Sequence, residues 1–150
     1  TVEYPYSHVI ILPVVGENSI LMVRAKRPVI NDFSLELPAG CAEKGEQPVA
    51  AAARELTEET GIPIVDFDRF IPMPPLAASP TRVPNLIYVF RVDLSLQEYE
   101  DKLPHDHEIE SVECVSFEKA AIMISTGEIY VTVPVAVIGS YLLSKNINQF

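Results

Sequence analysis

Three glutamates, Glu55, Glu58 and Glu59, follow one another at spacings that could bring their carboxylates together. On an α-helix, residues three and four apart are neighbours, so these side chains would share one face within about 5–6 Å of one another. Like charges at that distance repel unless a cation neutralises them. Oxygen-only ligands suit Mg²⁺ or Mn²⁺, and Mg²⁺ is commonly held by one or two carboxylates together with substrate phosphates. The spacing therefore predicts a divalent-metal site that handles phosphates.

The residues around these glutamates predict the helix that must carry them. Pro48 suits a first helical turn, because its missing N–H costs nothing there. Gly61 suits a left-handed residue that ends the helix, and Pro63 prevents its continuation. Four residues recur at helical spacing and are predicted to face the core, namely Val49, Ala53, Leu56 and Thr60.

Residues 40–62 resemble the Nudix box. The box reads Gly-x5-Glu-x7-Arg-Glu-aliphatic-x-Glu-Glu-x-Gly-aliphatic, and all seven fixed positions and both aliphatic positions match. A solvated acidic helix is the alternative, but it leaves Gly40, Arg54 and Gly61 unexplained. The resemblance implies a Nudix hydrolase, which cleaves a nucleoside diphosphate linked to another moiety. It also implies an α/β protein, a Nudix-type α/β/α sandwich with a mixed β-sheet.

The resemblance carries a ligand set for the metal, which would be Mg²⁺ or Mn²⁺. Glu55 and Glu59 are the implied metal-ligating carboxylates, and Glu58 lies close to them. The resemblance also implies a catalytic role for Glu59. The backbone carbonyl of Ala39 or Gly40 would complete the site.

Other groups are expected around the metal. Arg54 would orient the ligands rather than react. This chain resembles one branch of the family, the ADP-ribose and ADP-sugar pyrophosphatases, in which an acidic residue on a late loop serves as general base. Glu108 is the first candidate for that residue here, and Asp106 is the second. A merely solvated acidic loop is the alternative. His105 and His107 have no third ligand at a suitable spacing, so we expect them to be exposed to solvent.

Outside the box, the chain is similar to the ADP-ribose and ADP-sugar pyrophosphatase branch. Residues 36–40 match its Glu-Leu-Pro-Ala-Gly lead-in, and residues 78–80 resemble its Ser-Pro turn. Arg27 is the positional match to a strand-ending arginine that contacts substrate there. Glu36 would support the ligands or contact substrate. Arg82 departs from the pattern; it could offer a guanidinium fork to substrate, with an exposed structural arginine as the alternative.

The substrate implied by the resemblance is ADP-ribose or another NDP-sugar. A different nucleotide, such as a dinucleotide or an oxidised nucleotide, and a non-hydrolytic Nudix-fold nucleotide sensor stay open as alternatives. Tyr4 and Tyr6 could stack on an adenine. A homodimer is compatible with the resemblance, although relatives usually build it with an additional N-terminal region and only residues 1–8 precede the first predicted strand.

Composition narrows the remaining classes. A chain of 150 residues is long enough for one domain, here residues 1–150, with a sizeable core. A net charge of −10 argues against nucleic-acid and anionic-membrane partners, and the resemblance implies a small-molecule nucleotide partner. Two cysteines without metal-binding or disulfide spacing fit a reducing cytosol, so we expect a cytoplasmic protein. Neither a signal peptide nor a membrane-spanning run is predicted.

The remaining elements follow from alternation, turns and prolines. A hairpin-like turn at 16–19 separates the first two strands, a proline-rich loop is predicted at 72–84, and a mobile acidic loop at 95–108. Strands are predicted at 9–15, 20–25, 35–37, 64–71, 86–93 and 112–116, and two further helices at 118–125 and 131–144.

Overall fold

A computed structural model describes residues 7–147, and its centre is a mixed sheet of seven strands. The two tyrosines considered for adenine stacking, Tyr4 and Tyr6, lie outside the described residues. The strands are β1 (His8–Val15), β2 (Ser19–Arg27), β3 (Asp32–Glu36), β4 (Ala39–Cys41), β5 (Phe70–Leu76), β6 (Ile87–Leu94) and β7 (Ile109–Ser116). The helices are α1 (Pro48–Thr60), α2 (Leu96–Glu100), α3 (Phe117–Ser125) and α4 (Thr132–Ile147).

The sheet combines parallel and antiparallel neighbours. Its main path runs β3-β2-β1-β6-β5, with β4 paired to β1 and β7 paired to β2. Strands β1 and β6 are parallel, with Val9 opposite Tyr88, and the other pairs are antiparallel. The long connection between β1 and β6 carries the box helix, as a parallel pair requires a crossover.

Strand β1 is buried on both faces, which explains its nearly continuous apolar sequence. Val9 and Ile11 pack into a cluster with Leu56 of α1, while Ile10 and Leu12 pack into a second cluster. That second cluster includes residues of α3 and α4, among them Ala120, Met123, Val137 and Ile138. Helices on both faces of a mixed sheet confirm the predicted α/β/α sandwich. Within residues 7–147, none of the helices has the length and apolar character that a membrane span requires.

The predicted strand at 64–71 and the predicted loop from residue 72 are wrong in their boundaries. Residues 67–69 form a short 3-10 turn, and β5 begins only at Phe70 and continues to Leu76. Three prolines, Pro72, Pro74 and Pro75, therefore lie within a strand. Because β5 ends the strand order, prolines that lack an N–H are tolerated there.

The acidic segment at 95–108 is not one open loop. Ser95 and Glu98 form a reciprocal capping box that starts α2, a pattern of serine and glutamate that the sequence already contained. Arg69 donates to both carboxylate oxygens of Glu98, at 2.7 and 2.8 Å, which ties α2 to the start of β5. The remaining residues, 101–108, are called the late loop. They contact the end of α1 through backbone hydrogen bonds of Leu103 and Asp106.

Candidate active site

The box helix α1 forms as the sequence predicts. Pro48 opens it, and Gly61 ends it in the left-handed conformation with φ of 79°, donating its N–H to the carbonyl of Thr57 at 2.9 Å. Ala53 and Leu56 are buried in the core. Burial of this face leaves the carboxylates on the side of α1 that meets β4 and the late loop.

Gly40 lets a carboxylate of α1 lie directly against the backbone of β4. A Cβ added to Gly40 would lie only 2.2 Å from Oε1 of Glu55, which is far too close for any real contact. The next residue back, Ala39, points its N–H at Oε1 of Glu59, 3.4 Å away. Absence of a side chain at Gly40 therefore brings the Ala39–Gly40 backbone and two carboxylates of α1 into one place.

Arg54 ties the box together. Its Nε and Nη2 each lie 3.0 Å from a carboxylate oxygen of Glu46, and Nη2 also donates to the Cys41 carbonyl at 2.9 Å. Its Nη1 donates to Glu55 at 3.0 Å and to Glu58 at 3.3 Å. The hydrogen bond with Glu46 is the main cause that raises the pKa of Arg54. This placement is the one that an orienting role requires, and the role itself stays a prediction.

Glu59 is the most perturbed carboxyl group of the site. Burial, and then the charge of Glu55, raises the pKa of Glu59 from 4.5 to about 8. Burial also raises the pKa of Glu55, while the charge and the hydrogen bond of Arg54 act to lower it. The physical cause is two close carboxylates away from water, which are stable together only when a proton or a cation offsets their repulsion.

The residues of this corner fit a divalent cation by their chemistry. Glu55 and Glu59 offer oxygen ligands, which Mg²⁺ and Mn²⁺ prefer, and the backbone of Ala39 and Gly40 lies beside them. Among residues 7–147, no three His, Cys, Asp or Glu side chains converge closely enough to enclose an ion by themselves. One reason is that Glu55 and Glu58 both accept hydrogen bonds from Arg54, so their carboxylates turn towards its guanidinium and not towards a common centre.

A cleft of about 430 Å³ opens beside this corner. It brings together five residues that the sequence analysis had placed in the site, from β2, β3, β4, α1 and the late loop: Arg27, Glu36, Ala39, Glu59 and Glu108. The sequence analysis did not assign Lys26, Pro28 or His107 to the site, although all three line the cleft. Their adjacency in sequence to Arg27 and Glu108 was the one signal available.

Arg27 and Glu36 form a pair on one wall of the cleft. Nε and Nη2 of Arg27 each donate to one oxygen of Glu36, both at 2.8 Å, and Ser34 adds a further hydrogen bond to Glu36. The Glu36 side chain is only 9% exposed, whereas that of Arg27 is 52% exposed. The hydrogen bond with Glu36 raises the pKa of Arg27. Both oxygens of Glu36 are thus engaged by Arg27, which makes Glu36 a support for the arginine.

The late loop presents Glu108 and uses Asp106 internally. Oδ1 of Asp106 accepts the backbone N–H of Glu108 at 3.1 Å, and the Asp106 N–H donates to the Glu58 carbonyl at 2.9 Å. Glu108 lines the cleft together with Arg27 and Glu59, while Asp106 is close enough to Glu59 for its charge to contribute to the raised pKa of Glu59. His107 is exposed, as expected, whereas His105 is half-buried, with its Nδ1 2.8 Å from the Asp106 carbonyl oxygen. Of the two candidate bases, Glu108 lines the cleft and Asp106 is not among the described residues that do, and the choice of general base stays a prediction.

Arg82 is not brought to the cleft. It is exposed in the turn between β5 and β6, where its N–H donates to the carbonyl of Ser79 at 3.0 Å. The described residues that line the cleft do not include it. The departure from the family pattern at this turn was the sequence signal against a contact of Arg82 with substrate. The turn lies at the β5 end of the sheet, whereas the cleft lies at the β2–β3 end.

Known proteins resemble this chain in sequence and in fold. An ADP-ribose pyrophosphatase from Bacillus subtilis is 33% identical over 123 residues, and a methanol dehydrogenase activator from Bacillus methanolicus is 32% identical over 123 residues. Each alignment covers 81% of this chain but only 64% of the relative. A solved structure described as an ADP compounds hydrolase shares the fold, with a TM-score of 0.67 at 17% identity over 96% of this chain and 74% of that one. The model of the NUDIX domain matches residues 5–131, so the chain belongs to the Nudix family.

Proposed function

We propose that this protein hydrolyses a nucleoside diphosphate linked to another moiety, with ADP-ribose or another NDP-sugar as substrate and with Mg²⁺ or Mn²⁺ as cofactor. One observation carries the proposal, namely a single cleft whose lining includes the guanidinium of Arg27 and the carboxylates of Glu59 and Glu108. Hydrolysis of a pyrophosphate needs positive charge near its oxygens and a base for the attacking water. The residues of this cleft could offer those two functions.

Arg27 is the proposed phosphate-binding group. Its Nε and Nη2 are held by Glu36, which fixes the plane of the guanidinium. A guanidinium has five N–H donors, so Nη1 and the second hydrogen of Nη2 stay available for phosphate oxygens. Fixing the fork in advance lowers the entropy cost of binding the substrate.

Glu55 and Glu59, with the Ala39 or Gly40 carbonyl, are the groups that would hold the metal, with Glu58 beside them. A bound Mg²⁺ or Mn²⁺ supplies positive charge that offsets the charge of the phosphates. Before binding it, Glu59 must lose the proton that its raised pKa favours.

Glu108 is the proposed general base. It accepts a proton from water as the water oxygen attacks one phosphorus of the pyrophosphate. The new P–O bond forms while the bond from that phosphorus to the bridging oxygen breaks, and the departing phosphate takes the electron pair. ADP-ribose would give AMP and ribose 5-phosphate. Asp106 holds the backbone of Glu108 and is proposed as a support.

Similarity alone does not choose among the candidate substrates. Two relatives of nearly equal identity carry different descriptions, an ADP-ribose pyrophosphatase and a methanol dehydrogenase activator. A different nucleotide substrate therefore remains the second candidate. A sensor that only binds nucleotides is disfavoured, because it has no need of an acid such as Glu108 in the same cleft as Glu59.

The surroundings of the protein belong to the same proposal. A net charge of −10 supports a small-molecule partner in preference to nucleic acid. Cys41 and Cys114 are exposed free thiols, which supports a reducing compartment such as the cytosol. A homodimer stays a prediction.

The test is a panel of nucleotide sugars, dinucleotides and oxidised nucleotides, assayed with Mg²⁺ for release of nucleoside monophosphate. We expect an NDP-sugar to be cleaved fastest and Arg27→Ala to raise KM about tenfold or more, since a charge-assisted contact contributes about 1.5–3 kcal/mol. Arg24→Ala is the matched control, because Arg24 lies on the same strand and pairs with Glu113 outside the cleft. Equal KM values for the two variants would refute the assignment of Arg27.

A further inference from the structure

The loop that carries Glu108 is fastened to the end of the box helix by its backbone. Leu103 donates its N–H to the Gly61 carbonyl at 2.8 Å. Three residues later, Asp106 donates its N–H to the Glu58 carbonyl at 2.9 Å. Both acceptors are carbonyls at the C-terminal end of α1, where a helix leaves such groups without intrahelical partners. The late loop therefore completes the end of the helix.

Gly61 sits where this loop comes closest. A Cβ added to Gly61 would lie 1.7 Å from the carbonyl oxygen of Leu103 and 2.6 Å from its carbonyl carbon. These are backbone atoms, so no rotation of a side chain can relieve the overlap. Any other residue at this position must displace the backbone at Leu103.

Ending the helix does not by itself require this closeness. Gly127, just after α3, has φ of 81°, almost the same as the 79° of Gly61, yet an added Cβ there would meet no atom within 4 Å. The left-handed conformation is thus common to both glycines, while the contact with a second segment distinguishes Gly61. The difference separates the conformational role of a glycine from its packing role.

We propose that Gly61 is a positioning residue for Glu108, because only a glycine admits the late loop to the end of α1. The connection runs through Asp106, which is anchored on Glu58 and whose Oδ1 holds the backbone of Glu108. Displacing Leu103 shifts the loop between these anchors and moves Glu108 relative to Glu59. This inference rests on the proposed function of Glu108.

The first test is kinetic. In Gly61→Ala, kcat should fall about 10²-fold, the loss that a displacement of roughly 1 Å can cause, while KM changes less than about threefold. Gly127→Ala, which carries the same backbone strain without the overlap, should keep wild-type kcat. Gly61→Asn tolerates the left-handed conformation better and retains the overlap, so it should lose kcat as Gly61→Ala does. Wild-type kcat in Gly61→Asn would overturn the proposal.

A double-variant comparison ties the effect to Glu108. If Gly61 acts through Glu108, then Glu108→Gln should have nearly the same kcat with and without Gly61→Ala. Independent, multiplying losses would overturn the proposal. Wild-type kcat in Glu108→Gln alone would instead refute the base assigned in the proposed function, and the position of the loop would then be decided by amide exchange.

Amide hydrogen exchange of the unmodified protein needs no variant to fold. The N–H groups of Leu103 and Asp106 should exchange at least tenfold more slowly than those of neighbouring loop residues such as His107, because both are hydrogen-bonded to α1. Gly61→Asn should remove that protection, and Gly127→Ala should preserve it. Fast exchange of both amides in the wild type would overturn the proposal whatever the kinetics show.

Discussion

Binding of Mg²⁺ should expel a proton from Glu59. Burial and the charge of Glu55 raise the pKa of Glu59 to about 8, so near neutral pH this carboxyl group is mostly protonated. A metal ligand must be deprotonated, and metal and proton therefore compete for the same oxygens. Proton release should be near one per site at acidic pH and should fall towards zero as pH rises above the pKa of Glu59. The affinity for Mg²⁺ should rise about tenfold per pH unit up to about pH 8 and then level off.

Isothermal titration calorimetry measures this release directly. Titrations with Mg²⁺ in buffers of different ionisation enthalpy give the number of protons released as a slope. Glu59→Gln should abolish the slope and weaken binding. Glu98→Gln is the matched control, because the pKa of Glu98 is lowered to about 2 and that group is already ionised throughout the range.

The same raised pKa sets the pH dependence of stability. A carboxyl group whose pKa is higher in the folded state stabilises the fold while it is protonated. For Glu59 that contribution is lost as pH rises from about 4.5 towards 8. Mg²⁺ should therefore raise the melting temperature more at pH 8 than at pH 5. Buffer-independent heats of binding, together with a Mg²⁺ effect on melting that ignores pH, would refute this account of Glu59.

Three further predictions concern the walls of the site and the packing behind it. Arg27→Ala should lower the free energy of unfolding by about 1–3 kcal/mol, because it leaves the buried Glu36 without its cationic partner. Urea denaturation measures the loss, and Arg27→Ala combined with Glu36→Gln should recover part of it. Glu108→Gln should lower kcat by about 10²–10⁴-fold with little change in KM. Asp106→Asn should lower kcat far less, because an amide oxygen can still accept the Glu108 N–H. Comparable losses of kcat would contradict the distinct roles of these two acids. The stability supplied by Glu98 should disappear as pH falls from about 4.5 to 2, since its lowered pKa favours the ionised form in the fold; denaturation of wild type and Glu98→Gln should therefore differ at neutral pH and converge near pH 2.

The box helix and the sandwich could be predicted because their signals are local. Apolar spacing, an opening proline and a closing glycine determine α1 within residues 48–61, and these features need no information from distant parts of the chain. Arg54 is similar, since its partner Glu46 belongs to the same box.

The cleft depended on contacts that no local pattern encodes. The register of β2 against β3 puts Arg27 opposite Asp32 and Glu36 opposite Val23, so the two side chains share a face of the sheet and meet along it, which the sequence alone does not show. The acidic residues of 95–108 suggested a mobile loop. Residues 101–108 are instead attached to the end of α1 by hydrogen bonds to backbone carbonyls, and no local pattern in the sequence predicts those bonds. Prolines in β5 suggested a loop for the same reason, because only the sheet shows that β5 is an edge.

Hydrolysis of ADP-ribose in water enriched in oxygen-18 tests the central claim most directly. With Mg²⁺, we predict equal amounts of AMP and ribose 5-phosphate, with one heavy oxygen in one of the two products. Cleavage should stop with a chelator and should be lost in Glu59→Gln but not in Arg24→Ala. Intact ADP-ribose and intact nucleotide sugars after prolonged incubation, or cleavage at an unchanged rate in Glu59→Gln, would contradict the proposed function.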